Sequence, residues 1–253
     1  MELVRAIGAW PAGERDAAMA RVGALGLAPS LVDQAGALRP GGTEAVLEVV
    51  NAQYGGILAD SASVLVVCRQ WVRRADGTVV GGGTTVDVRL RRARPKWTVT
   101  ALHPARPGPP SATPSTAAKR VLATGPRIEL PPAADADVRS GAVHDSVLEA
   151  LLELAGKHRM AVSVLRSGHP LNVFGTDRPS DHPRGRAVDV WRIDGRPVVD
   201  PATPRHLVES FMRAAAAAGS YNVGGPVRLS GGAPGRFFSD DTHRDHVHMG
   251  FRT

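Results

Sequence analysis

Ser180-Asp181-His182-Pro183-Arg184-Gly185-Arg186-Ala187-Val188-Asp189 places a histidine and an aspartate with six residues between them, and Asp245-His246-Val247-His248 adds a His-x-His pair near the end of the chain. Two imidazoles and one carboxylate form a three-ligand set with one coordination position left over. That open position separates a catalytic zinc site from a closed, four-ligand structural one. Zinc in such a set lowers the pKa of bound water to about 7, and a neighbouring carboxylate or imidazole can then take the proton. Eight of the nine histidines fall from His144 onward, so this chemistry belongs to the second half of the chain.

The elements that must position these groups are legible. Gly185 permits a tight or left-handed turn after His182. From Arg186 to Ile193 the residues alternate as in a strand, with Ala187, Asp189 and Trp191 on one face and Val188 and Val190 on the other. The same period from Asp245 to Phe251 puts His246 and His248 together, with Val247 and Met249 behind. Two adjacent antiparallel strands would bring His182, Asp189 and His248 to one point. Asp245 would face away from both histidines in a regular strand, so a role as base requires a turn or bulge just before the strand.

The pattern S-x-H-x-x-G-x-A-x-D followed by a late H-x-H resembles the M15 peptidases, zinc enzymes that act on peptidoglycan peptides as D-alanyl-D-alanine carboxypeptidases, dipeptidases or endopeptidases. They share their fold with the hedgehog signalling domain. Ser180, His182, Gly185, Ala187 and Asp189 fill the first motif. The resemblance covers roughly residues 140–253. It implies zinc held by His182, Asp189 and His248, Asp245 as general base, and His246 assisting the transition state or serving as alternative base. The family's Ser-Gly-Tyr-Arg element reads Ser167-Gly168-His169-Pro170 here, so Arg166, His169 and Ser180 become the substrate-contact candidates. The alternative within the same fold is a catalytically inactive, zinc-stabilised cell-wall binding module.

Other catalytic signatures are missing. The chain contains no H-E-x-x-H and no G-x-S-x-G, and Gly81-Gly82-Gly83 fits a hairpin rather than a phosphate loop. Cys68, the only cysteine, sits in an apolar run that reads as core. The net charge of +7 suits an anionic partner such as a wall polymer, but the arginines are dispersed and no nucleic-acid module is present. Three lysines against a total of 31 cationic residues, with abundant Ala, Gly and Pro, suggest a GC-rich, actinobacterial or phage origin. No stretch reaches membrane-spanning length and no signal peptide is visible, although a peptidoglycan substrate implies an extracytoplasmic site of action.

The expected layout is α+β in two parts. Residues 1–103 form a small non-catalytic domain, with a helix over 12–26, a helix or strand near 44–53, and strands over 61–73, 84–92 and 97–103. This curled antiparallel meander resembles, without a sharp motif, the nuclear-transport-factor-2-like cone. Residues 104–132 read as a Pro-rich linker. Residues 133–253 form the peptidase-like domain, an antiparallel sheet with helices on one side, the helices falling near 143–159 and 204–218.

Overall fold

The computed structural model describes residues 1–252 and has the expected α+β class, built around two sheets. In the first half, helices α1 (Glu2–Gly8) and α2 (Ala18–Ala24) precede five antiparallel strands: β1 (Glu44–Ile57), β2 (Ser61–Arg73), β3 (Val79–Gly82), β4 (Thr85–Arg91) and β5 (Thr98–Pro104). Their order is β1-β2-β4-β5, with β3 pairing the distal end of β2. Leu3, Val4 and Ile7 of α1 and Val22 of α2 pack on Leu47, Val66, Cys68, Val86, Val88 and Leu102. Burial pushes the Cys68 thiol up to about 12, which keeps it protonated and unreactive.

Two elements here were not expected. The opening Glu-Leu-Val-Arg-Ala-Ile-Gly is helix α1, whose apolar side docks in the core. Val79–Gly82, which overlaps the Gly81-Gly82-Gly83 run read as a hairpin loop, is the exposed strand β3; the turn ahead of it falls at Asp76-Gly77, where Ala75-Asp76-Gly77 reads as the first hairpin turn.

The Pro-rich connector is shorter than its expected bounds. Its one long stretch without regular structure is residues 105–115. Ser115 then caps helix α3 (Thr116–Ala123) by accepting from the Ala118 amide at 3.1 Å. Ala117, Ala118 and Val121, with Ile128 of strand β6 (Ile128–Glu129), enter the core of the second domain. Helix formation by the alanine-rich run after the last connector proline outweighs the extended character of what precedes it. Pro132 likewise opens helix α4 (Pro132–Arg139), a first-turn position where its missing N–H costs nothing.

The second domain continues through α5 (Asp145–Ala155), β7 (Met160–Val164), β8 (Ala187–Ile193), β9 (Arg196–Pro197), α6 (Arg205–Ala217), β10 (Asn222–Gly224), β11 (Phe237–Phe238) and β12 (Val247–Gly250). The strand order is β11-β10-β12-β8-β7-β6, with β9 on β8. The sheet was expected to be antiparallel throughout, but its outermost pairs, β6 with β7 and β10 with β11, run parallel. Buried residues of α5 at 147, 148, 151 and 154 repeat with helical period and meet Val188, Val190, Val247 and Met249 from one face of the sheet. The opposite face carries Asp189, which leaves that side free for chemistry.

The two halves touch. β2 residues Leu65 and Val67 are fully buried but lie outside the helical core of their own domain, on the sheet face turned toward the second half. An added Cβ at Gly168 would come within 3.0 Å of Thr85, and one at Gly56 would meet the Phe174 ring.

Leu151 is completely buried at the centre of the second core. Leu151→Ala is expected to lower unfolding free energy by about 2–5 kcal/mol, read from urea denaturation. A loss under 1 kcal/mol would contradict this placement.

Candidate metal centre

His182 reaches the site from a turn, as Gly185 suggested. Residues His182–Arg184 form one 3-10 turn that Gly185 closes in the left-handed region (φ 68°, ψ 23°), its N–H donating to the His182 carbonyl at 2.8 Å. A Cβ at Gly185 would fall 2.0 Å from the Ala142 carbonyl oxygen, so both conformation and space require glycine. Asp189 and His248 sit directly opposite each other on β8 and β12. Cross-strand neighbours on one face are the closest side-chain pairs a sheet offers.

His182 Nε2 lies 3.2 Å from Asp189 Oδ1 and 3.2 Å from His248 Nδ1, and His248 Nδ1 lies 3.0 Å from Asp189 Oδ1. In a tetrahedral site with bonds of about 2.0–2.1 Å, ligand atoms stand about 3.3 Å apart. The triangle is therefore close to the dimensions of a coordination face. The tautomer of His182 agrees. Its Nδ1 contacts the Leu165 carbonyl at 2.8 Å, and a carbonyl only accepts, so Nδ1 carries the proton and Nε2 presents a lone pair. One proton on His248 Nδ1 would satisfy one edge of the triangle, not all three.

His169 joins the cluster. One ligand atom each from His169, His182 and Asp189 lie within 4.8 Å of one another, a group that could hold a metal ion. The His169 and His182 rings stack at 4.0 Å and 19°, so their in-plane lone pairs run along separate planes. On this geometry His248 fits as the third ligand and His169 as a neighbour that shields His182.

The electrostatics favour neutral imidazoles at His248 and His169 beside an ionised Asp189. Burial opposes the charged form of Asp189, but His182 and His246 beside it outweigh that and hold its pKa well below the usual carboxylate range. Burial dominates at His248, pushing it down to about 4 despite the pull of Asp189. Burial and the neighbouring His182 keep His169 well below the usual imidazole value.

Asp245 and His246 form a pair. Asp245 follows the 3-10 turn Thr242–Arg244 and stands just ahead of β12, the position that a role in catalysis required. Asp245 Oδ1 lies 2.7 Å from His246 Nδ1, and its Oδ2 accepts from the Tyr54 amide at 2.9 Å. Both carboxylate oxygens are thus engaged. His246 turns Nε2 toward Asp189, 3.6 Å from Oδ2. Burial works against the charged imidazole, but Asp189 and Asp245 prevail and raise the His246 pKa.

The remaining sequence candidates separate. The Ser180 hydroxyl accepts from the His182 amide at 3.3 Å and lines the metal cleft, where it supports the ligand turn. Arg166 does not line that cleft. It borders a neighbouring cavity of about 1150 Å³ and leans toward the buried Asp137, which also accepts from its amide at 3.2 Å. The exposed arginines of the metal cleft, a space of about 1050 Å³, are instead Arg178 and Arg184. Arg178 lies two residues before the His182 motif and Arg184 within it, a proximity not used in choosing the substrate candidates.

Also missed were Gln53 and Tyr54 of β1, the domain to which no catalysis was assigned. Gln53 Nε2 donates to Asp189 Oδ2 at 2.8 Å. No local signal marks them, because the contact spans 136 residues.

Compared with known proteins, the chain matches no family model and no curated protein. Among the described residues no helix is long and apolar enough to cross a membrane.

Gly185→Ala should weaken metal binding at least tenfold in a chelator competition, because the turn holding His182 cannot keep its shape. Unchanged affinity would show that the turn does not set the ligand position.

Proposed function

We propose that this chain is a zinc-dependent peptidase of the M15 type, hydrolysing a peptide bond in peptidoglycan stem or cross-link peptides. The observation that carries the reading is the lone-pair triangle of His182, Asp189 and His248 with the Asp245–His246 pair beside it. The donor set fits zinc: two imidazole nitrogens and one carboxylate oxygen at tetrahedral spacing, with room in the cleft for a substrate. When bound, zinc supplies a Lewis acid that polarises an amide carbonyl and acidifies water to a pKa of about 7.

The chain's own residues then have distinct tasks. His246 takes the proton of the attacking water at Nε2, since Nδ1 is committed to Asp245. Asp245 acts through His246, fixing its tautomer and stabilising the imidazolium that forms. The water's hydroxyl adds to the carbonyl carbon, the C–N bond breaks, and His246 returns the proton to the departing amine. This assignment moves the proton from Asp245, the acceptor suggested by the family pattern, to its neighbour. Arg178 and Arg184 supply positive charge at the cleft for the carboxylates of stem peptides, a task first assigned to Arg166.

The test is release of new amino groups from purified muropeptides by the zinc-loaded protein, followed by chromatography and mass spectrometry. Turnover should vanish with chelator. His246→Ala should lower kcat by about 10²–10⁴ while retaining zinc, and Asp245→Asn should lower it less. Full activity in His246→Ala would return the base role to Asp245. A zinc-loaded protein that binds muropeptides without cleaving them would favour the inactive wall-binding module.

A further inference from the structure

We infer that Gln53, on the first domain, is a positioning residue of the metal centre, so that the N-terminal domain is part of the site rather than a spacer beside it. This rests on the metal reading above and extends it to the other half of the chain.

Leu47 pairs with Gln70 and Val49 with Cys68, so odd-numbered β1 residues up to Val49 share a face with the helical core. If β1 were regular, Gln53 would point into that same core. It does not, because the pairing shifts between Val49 and Asn51, where Val50 is an extra residue. A one-residue insertion turns every following side chain to the other face. Beyond it Asn51 pairs with Val67 and Gln53 with Leu65, the β2 residues turned toward the second domain. A second shift between Tyr54 and Gly56 bends the strand again as it passes Phe174. The two irregularities bracket Gln53.

What the bulge delivers is a buried amide. Gln53 is 1 % exposed, and its Nε2 donates to Asp189 Oδ2 at 2.8 Å. Oδ2 is the carboxylate oxygen outside the ligand triangle. Holding it fixes the rotation of the carboxylate and keeps Oδ1 aimed between His182 Nε2 and His248 Nδ1. The adjacent Tyr54 amide holds Asp245 in the same way, so two successive β1 residues grip the two acidic groups of the site. Gln53 Oε1 is buried with no hydrogen-bond partner. An apolar residue would fill the space without leaving an acceptor unpaired, so the amide answers to Asp189.

The experiment compares full-length wild type, Gln53→Met and Gln53→Asn. The first substitution keeps the volume and removes the donor, and the second keeps an amide but withdraws it by one methylene. Zinc affinity is measured by chelator competition, the visible spectrum is recorded on cobalt-substituted protein, and thermal unfolding is followed on the metal-free forms. We expect both variants to lose 10–100-fold in zinc affinity and to change the cobalt spectrum, while the metal-free proteins melt with wild type. If Gln53→Met does not fold, Gln53→Asn carries the same comparison. Affinities within twofold of wild type with an unaltered cobalt spectrum would overturn the assignment. A wild type that binds no zinc would instead overturn the metal reading itself, and the wild-type arm alone reveals that case.

Discussion

The close approach of three ligand-type atoms, held by packing from both domains, is the constraint on which the proposed site depends. His182 Nε2, His248 Nδ1 and Asp189 Oδ1 stand 3.0–3.2 Å apart, with His182 and Asp189 almost wholly buried. Groups of this kind separate or take up protons unless a cation lies between them. Here separation is blocked. Gly185 locks the turn behind His182, cross-strand pairing locks Asp189 against His248, and the Leu165 carbonyl fixes the first imidazole's tautomer. The packed face of Val188, Val190, Val247 and Met249 against α5 and α6 makes β8 and β12 rigid enough to sustain the arrangement.

Much of this could be read in the chain. The alternation in 186–193 and 245–251 placed Asp189 and His248 on one face, and the lone glycine after His182 announced its turn. The apolar period of α5 identified the core. These are local signals, set by periods of two and 3.6 and by glycine's tolerance of positive φ, and they survive into the structure because tertiary packing agrees with them.

What escaped was set by distant contacts or by punctuation with two meanings. Leu-Pro-Pro before Ala133 reads equally as linker or as the first turn of a helix, and the structure takes the second. Two-residue edge strands such as β6 and β11 carry no period, so their parallel pairing could not be anticipated. Arg166 lies one residue from a motif yet turns aside, because the buried Asp137 claims its backbone and draws its side chain. Gln53 is the clearest case. Its direction depends on a bulge three residues earlier, and its meaning on a carboxylate 136 residues away. The one hint was the apolar stretch Val64–Cys68, which implies a strand covered on both faces and therefore a second layer over the sheet.

His182, Asp189 and His248 are proposed to hold one metal ion, and X-ray absorption at the zinc edge of the loaded protein tests this most directly. The expected spectrum shows a single first shell of nitrogen and oxygen at about 2.0–2.2 Å, imidazole multiple scattering from two histidines, and no sulfur. One histidine's contribution should disappear in His248→Ala. A shell of oxygen alone, or a spectrum that His248→Ala leaves unchanged, would contradict it.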